Sequence, residues 1–149
     1  MKNTLIIRAI EAAQTRALRS AILRPNRPPE DSIYPSDDAR DALHLGTFDG
    51  DKIVGIASIY RESWPLDANF KAYRLRGMAV DPAFQRRGIG AALVREALGH
   101  IKAQGGEVLW CNAREIALDF YRALGFESVG NEFEIPGIGP HFLMRRSVS

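Results

Sequence analysis

Two arginines and two glycines stand directly in front of an apolar helical run in the segment Gln85–Gly90, QRRGIG. Glycine has no Cβ, so a ligand can approach the main chain closely at Gly88 and Gly90. The first N–H groups of a helix have no partner within the helix, and the helix dipole adds about half a positive charge there. With the guanidinium groups of Arg86 and Arg87 beside it, this helix end predicts an anion site, and a pyrophosphate fits it.

Two well-known phosphate motifs do not fit this segment. A P-loop requires Gly-Lys followed by Ser or Thr, and no such triplet follows Gly88. A dinucleotide-binding turn requires a third glycine at position 93, which is Leu93. A solvated arginine pair in front of an ordinary helix remains the structural alternative to an anion site.

The elements that must position the segment follow from the hydrophobic pattern. We predict strands at 4–10, 43–48, 52–61, 72–80 and 107–113, helices at 11–24, 88–104 and 115–124, and two closing strands in ESVGNEFEI and HFLMRRSV. The segment 26–41 is predicted to be either a long ordered loop or a short irregular helix. Asp49-Gly50 predicts a tight hairpin turn, and Gly105-Gly106 a helix stop. This order implies one mixed α/β sheet that contains a βαβ unit.

Each predicted helix has an apolar side that can pack on the sheet. In the first helix these residues are Ala13, Ala17, Leu18, Ala21 and Ile22; in the second they are Ile89, Leu93, Val94, Ala97, Leu98 and Ile101; in the third they are Ile116, Phe120 and Leu124. The second helix therefore docks with its first turn at the end of strand 72–80, which fixes the anion site.

Composition limits the classes of protein that need to be considered. The 149 residues suit a single domain, 1–149, and a net charge of +2 does not favour nucleic-acid binding. No apolar run is long enough to span a membrane and the N-terminus is no signal peptide, so we expect a cytoplasmic protein without a membrane partner. The single cysteine, Cys111, lies in an apolar strand and is interpreted as a buried hydrophobe.

Two segments resemble a known family. MAVDPAFQRRGIGAAL is similar to the acetyl-CoA-binding segment, Gln/Arg-x-x-Gly-x-Gly/Ala, of the GCN5-related N-acetyltransferases (GNAT). Downstream, ALDFYRALGFESVG resembles the family's helix-and-strand segment that contains Tyr-x-x-Leu-Gly-Phe. The predicted elements follow the family's order from residue 4 to about residue 148. The resemblance implies one GNAT domain, with a mixed, largely antiparallel sheet, a parallel βαβ unit and helices on both faces.

The resemblance also implies roles for particular residues. The pyrophosphate of acetyl-CoA would bind at Gln85, Arg86, Arg87, Gly88, Ile89, Gly90 and Ala91, and the pantetheine arm would pair with the main chain of Met78, Ala79 and Val80. Tyr121 stands where many members have a tyrosine that protonates the departing thiolate; a tyrosine that only packs is the alternative. No metal is implied.

Two departures from the family pattern leave roles open. Arg114 occupies a position where many members have asparagine, and either Arg114 or Asn112 can contact the ligand. Strand 72–80 carries no carboxylate, so the base would be a water chain or one of Glu62, Glu134 and His141, the last of these in a loop that either lines the acceptor side or is merely exposed. The acidic residues Glu30, Asp31, Asp37, Asp38 and Asp41 either attract a cationic amine or form a solvated surface.

These observations lead to one main hypothesis. The chain is expected to transfer the acetyl group of acetyl-CoA to a small-molecule or peptide amine by direct attack in a ternary complex, without an acyl-enzyme. A non-catalytic acyl-CoA sensor or scaffold of the same fold is the alternative, and a binder of another phosphorylated ligand is a third. A homodimer formed through the C-terminal strands is possible in this family.

Overall fold

The computed structural model describes residues 4–149, whose strands form one mixed sheet. The strands are β1 Leu5–Ile10, β2 Leu43–Asp49, β3 Lys52–Arg61, β4 Ala72–Val80, β5 Val108–Arg114, β6 Glu127–Ser128, β7 Phe133–Ile135 and β8 Gly139–Ser147. Their order is β1-β2-β3-β4-β5-β8-β6, with β7 also on β8. The pair β4 and β5 is parallel, whereas β1–β2, β2–β3, β5–β8, β6–β8 and β7–β8 are antiparallel. The predicted fold class is confirmed.

The helices are short except for one. They are α1 Arg16–Leu18, α2 Ile89–Ala103 and α3 Leu118–Ala123, with short 3-10 turns at Ala12–Thr15, Pro29–Ser32, Pro82–Phe84 and Glu115–Ala117. Within residues 4–149 no helix has the length and apolar character needed to cross a membrane.

The described residues form two compact units. The first unit contains the residues up to Arg61 together with Leu75–Ala97, and the second contains Glu62–Arg74 together with Leu98–Ser149. Both β4 and α2 are therefore divided between the units. The organisation of 1–149 as a single domain stays a prediction.

In the first unit, β1, β2 and β3 form an antiparallel meander. The hairpin predicted at Asp49-Gly50 is confirmed, with Asp49 opposite Lys52 and Gly50 at a φ of +62°. The apolar side of α2 is also confirmed, since Ile89, Leu93, Val94 and Ala97 are all buried, and Ile89 Cγ2 lies only 2.6 Å from where a Cβ on Gly55 would be. The start of α2 thus packs directly on β3.

In the second unit, β5 is paired along its whole length. It runs antiparallel to β8 from Val108 opposite Ser147 to Arg114 opposite His141, and its first three residues run parallel to residues 72–74 of β4. Trp64 and Trp110 pack edge to face in a buried cluster on this part of the sheet. The helix stop predicted at Gly105-Gly106 is confirmed, because α2 ends at Ala103.

The predicted face of the first helix is wrong. The segment changes from a 3-10 turn through α1 to a π-helical turn at Arg19–Leu23. Ala13, Ala17 and Ala21 are exposed, while Thr15 and Arg19 are completely buried. Arg19 is buried because it has an ion-pair partner inside the protein, so packing overrides the apolar stripe.

Three predictions in the second half need correction. Ile116 is 90% exposed in a 3-10 turn and does not pack with Phe120 and Leu124 in a continuous helix. The segment ESVGNEFEI forms two short strands, β6 and β7. His141 belongs to β8 and is buried, so it is not an exposed loop histidine.

Candidate active site

The segment between β4 and α2 is a largely exposed loop whose first residue, Asp81, is held by hydrogen bonds. The side chain of Asp81 accepts a hydrogen bond from the N–H of Ala83 at 2.9 Å, and the N–H of Asp81 donates to the carbonyl of Val54 at 2.8 Å. The pKa of the Asp81 carboxyl is lowered, chiefly by the bond from Ala83. Residues 85–88 that follow are all exposed. The loop is therefore anchored to β3 while its glycine-containing part faces solvent.

Two residues of this loop, Arg86 and Gly88, have positive φ angles. Gly88 has a φ of +75°, and a Cβ placed on it would have no atom within 4 Å. Arg86 has a φ of +65°, which is uncommon for a residue with a side chain and is found preferentially at ligand-binding sites. Open space beside a main chain in this conformation is what a ligand requires if it is to contact the backbone.

The first turn of α2 supplies the donors. Ala92 is the residue whose N–H bonds back to the carbonyl of Gly88, at 3.0 Å. The N–H groups of Ile89, Gly90 and Ala91 therefore lie in the first turn, where no helical carbonyl precedes them. Packing of Ile89 on Gly55 holds this turn in place. The segment Gln85–Ala91 thus has the fit that a pyrophosphate needs: backbone donors, two arginines and free space.

The end of β4 leads directly into this loop. Ala79 is buried and its neighbours Met78 and Val80 are half-buried. The side-chain amide of Gln85 donates to the carbonyl of Val80 at 3.3 Å, which links the loop back to the strand. The residues predicted to bind the cofactor, Met78–Val80 and Gln85–Ala91, all belong to the first unit and lie close together in the sequence.

Tyr121 lies in α3 of the second unit, and the residue is only 7% exposed. It packs edge to face with Phe120 and Phe126, at centroid distances of 5.0 and 5.3 Å. Burial raises the pKa of Tyr121 well above its usual value, and the nearby Cys111 adds to the shift. Burial thus favours the neutral form of the hydroxyl, and the packing of the ring agrees with the alternative that Tyr121 is a core residue; its catalytic role stays a prediction.

The single cysteine is unsuited to nucleophilic chemistry. Cys111 is 2% exposed on β5, and burial raises the pKa of its thiol to about 12. The thiolate is the reactive form of cysteine, so a thiol with this pKa is inert at neutral pH.

The candidate bases differ in their environments. Glu62 accepts a hydrogen bond from Arg74 at 3.1 Å, and Glu134 is exposed on β7. Nδ1 of the buried His141 lies 2.8 Å from the carbonyl of Gly139. Because a carbonyl only accepts, Nδ1 is the donor in this contact. Arg114 lies opposite His141 in the β5–β8 pair.

The acidic loop contains one residue whose role the sequence did not indicate. Glu30, Asp38 and Asp41 are exposed, and Asp31 pairs with Arg27 at 2.7 Å. Asp37, in contrast, is 5% exposed and forms an ion pair with the buried Arg19 at 2.7 Å.

Asp37 is the centre of a buried polar cluster in the first unit. Its carboxylate accepts from both terminal nitrogens of Arg19, from the hydroxyl of Tyr60 at 2.7 Å and from the N–H of Tyr34 at 3.0 Å. Burial alone would raise the pKa of Asp37, but these hydrogen bonds outweigh burial and lower it to about 2. Ser58 and His44 extend the cluster, with His44 Nδ1 at 2.7 Å from the Ser58 hydroxyl.

Comparison with known proteins agrees with this geometry. The profile of the acetyltransferase (GNAT) domain matches residues 25–147. The uncharacterised N-acetyltransferase YitI of Bacillus subtilis is 35% identical over 144 residues, which is 97% of each chain. The N-alpha-acetyltransferase RimI of Mycobacterium tuberculosis is 38% identical over 92 residues, which cover 58% of this chain and 53% of RimI.

Solved structures show the same fold at lower identity. An aminoglycoside 6'-N-acetyltransferase in complex with coenzyme A superposes with a TM-score of 0.77 at 15% identity, over 97% of both chains. A putative N-acetyltransferase from Lactobacillus plantarum gives 0.81 at 17% identity, over 99% of this chain and 100% of the other.

The matching family model and the relative that covers nearly the whole chain define the class of protein as an acyltransferase. The chain belongs to the GNAT acetyltransferase family, and it is an N-acetyltransferase.

Proposed function

We propose that this chain transfers the acetyl group of acetyl-CoA directly to an amine, with both substrates bound at once and no acyl-enzyme. The observation that carries the proposal is the segment Gln85–Ala91, in which exposed arginines, free N–H groups and open space at Gly88 fit a pyrophosphate. The inert thiol of Cys111 supports direct transfer, because the chain has no other cysteine that could carry the acetyl group.

The proposed reaction consists of amine attack on the thioester followed by two proton transfers. The lone pair of the amine attacks the thioester carbonyl carbon and forms a C–N bond. The carbonyl then re-forms as the C–S bond of the tetrahedral intermediate breaks, and the electron pair of that bond leaves with sulfur. The attacking nitrogen loses one proton to a base or to water, and the thiolate gains one from Tyr121. The assignment of Tyr121 rests on the resemblance of its segment to the family's Tyr-x-x-Leu-Gly-Phe, and the hydroxyl can give its proton only to a thiolate in direct hydrogen-bond contact, since burial raises its pKa.

For the acceptor we propose an amine on a small molecule or a peptide. The relatives point to both: one is named for an aminoglycoside and another for an N-alpha amine. The test is a thiol-release screen with acetyl-CoA across polyamines, aminoglycosides, amino acids and peptides with free N-termini. We expect turnover with at least one class. Binding of acetyl-CoA with no turnover on any amine would favour the sensor alternative and contradict the proposal.

The role of Tyr121 has its own test. Tyr121→Phe removes the proton donor but keeps the ring that packs on Phe120 and Phe126. We expect kcat to fall about 10²-fold, with little change in the KM for acetyl-CoA, because the lost interaction exists only as the thiolate departs. Tyr73→Phe, which deletes a hydroxyl from another buried tyrosine of the same unit, is the control. Unchanged kcat at saturating substrates in Tyr121→Phe would eliminate the role.

A further inference from the structure

Strand β4 has an irregular backbone at Gly77, immediately before the residues proposed to bind the pantetheine arm. Gly77 has a φ of +63°, which is outside the range of a regular strand. A Cβ on Gly77 would lie 3.1 Å from Nε of Arg19 and 3.3 Å from Cε2 of Tyr34. Two side chains thus lie directly against the backbone at this one position.

One carboxylate, that of Asp37, holds both the side chain of Arg19 and the main chain of Tyr34. Arg19 donates to Asp37 through Nη1 at 2.7 Å and through Nη2 at 3.0 Å, and the N–H of Tyr34 donates to Asp37 at 3.0 Å. The guanidinium of Arg19 also stacks on the Tyr34 ring, 3.9 Å from its centroid. A second guanidinium, from Arg76 on β4, lies 4.1 Å from the same centroid. The ring of Tyr34 therefore has little freedom to move.

The helix that carries Arg19 departs from α geometry at this residue. The N–H of Arg24 bonds to the carbonyl of Arg19 at 3.0 Å, five residues back, which is the bond of a π-turn. Such turns are rare and occur frequently at functional sites. Here the turn begins at the residue that enters the cluster and lies against β4.

Stability alone is a poor explanation for this arrangement. A buried ion pair can often be replaced by apolar residues of similar volume without loss of stability, because removing two charges from water costs as much as their attraction returns. The bidentate ion pair of Arg19 with Asp37, together with the contacts that both residues make with Tyr34, does fix the geometry of these three residues. The geometry that it fixes is that of β4 at Gly77.

We infer that Arg19, Tyr34 and Asp37 are positioning residues, which hold the backbone at Gly77 so that Met78, Ala79 and Val80 present their main chain to the pantetheine arm. The inference rests on the proposed function, because it requires that acetyl-CoA bind along β4. The nucleotide half of the ligand would bind at Gln85–Ala91 instead, and none of the three positioning residues belongs to that segment. The two halves of CoA should therefore respond differently when the cluster is changed.

The test compares two ligands by calorimetry. One is CoA, and the other is adenosine 3'-phosphate 5'-diphosphate, which keeps the pyrophosphate but lacks the pantetheine arm. In Tyr34→Leu, which removes the ring against Gly77, we expect the Kd for CoA to rise about tenfold or more, since small displacements of a binding element are costly. The Kd for the nucleotide should not change. Tyr34→Phe keeps the stacked ring and should restore CoA binding.

A second variant keeps the inference testable if Tyr34→Leu does not fold. Gly77→Ala should weaken CoA binding while leaving the nucleotide alone. Its control is Gly50→Ala, which introduces the same strain at a φ of +62° but has no atom within 4 Å of the new Cβ. Equal losses of affinity for both ligands, or no loss of affinity for CoA, would overturn the inference. If the wild type itself binds neither ligand, the proposed function fails instead.

Discussion

Gly77 and Gly88 have similar backbone angles and opposite surroundings. Their φ values are +63° and +75°, and both lie in the first unit, one within β4 and one just beyond it. The space where Gly77 lacks a side chain is filled by Arg19 and Tyr34, whereas the space at Gly88 is empty. One glycine makes room for the protein itself, and the other leaves room for a ligand.

The difference separates two ways of building a binding site. The loop around Gly88 is local: seven consecutive residues and one helix end supply its donors, charge and space. The packed site at Gly77 is not local, since Arg19, Asp37 and Tyr60 come from distant parts of the sequence. We propose that the local site binds the cofactor and that the assembled cluster holds the strand leading to it. Variants should therefore affect the two regions independently.

The largest expected effect is the loss of stability when the buried cluster around Asp37 is changed. Asp37→Asn leaves the buried guanidinium of Arg19 without its counter-charge, which typically costs about 3–5 kcal/mol of the free energy of unfolding. Asp38→Asn makes the same substitution at the exposed neighbour and should change stability by no more than about 0.5 kcal/mol. Urea denaturation measures both variants. Similar losses in the two would show that the cluster does not depend on this ion pair.

Low pH should reduce the contribution of Asp37 to the stability of the same cluster. The pKa of Asp37 is about 2 in the folded protein, below its ordinary value of 3.8, so its contribution is complete above about pH 4 and is lost as the pH falls towards 2. The stability difference between the wild type and Asp37→Asn should therefore shrink by about 2 kcal/mol between pH 5 and pH 2. A difference that stays constant over this range would mean that Asp37 has no lowered pKa.

A smaller effect is expected at the open loop. Replacing both Arg86 and Arg87 by alanine removes two exposed charges, and the Kd for acetyl-CoA should rise about tenfold, or about 1.4 kcal/mol. Binding should also become less sensitive to salt. Arg95→Ala removes an exposed arginine from the polar side of α2 and should leave binding unchanged. If Arg95→Ala and the double variant behave alike, the loop arginines have no special part in binding.

The sequence predicted the local features of this protein well. The hairpin at Asp49-Gly50, the strand 72–80, the apolar side of α2 and its end are all confirmed, because each depends on neighbouring residues. The resemblance of Gln85–Gly90 and of the segment around Tyr121 led to the correct family. The roles of individual site residues stay predictions.

The buried cluster could not be predicted in the same way. Arg19 followed Leu18 in a helix with an apparent apolar stripe, and Asp37 stood in an acidic loop that favoured a solvated surface. Each residue alone is typical of an exposed position, and only pairing makes burial of both favourable. The prediction for Ile116 was wrong for the converse reason. Its position in a short 3-10 turn exposes a side chain that helical periodicity would bury.

The central claim is that the open space at Gly88 is a place for the pyrophosphate of acetyl-CoA. Calorimetric titration of acetyl-CoA into the wild type, Gly88→Gln and Gly88→Glu tests it most directly, because the two variants share size and backbone strain and differ only in charge. A Cβ at this position has no atom within 4 Å, so the structural cost of each variant is the backbone strain at a φ of +75°, which is the same in both. We predict weaker binding in both variants and the weakest in Gly88→Glu, whose carboxylate repels phosphate. Wild-type affinity in Gly88→Glu would contradict the account.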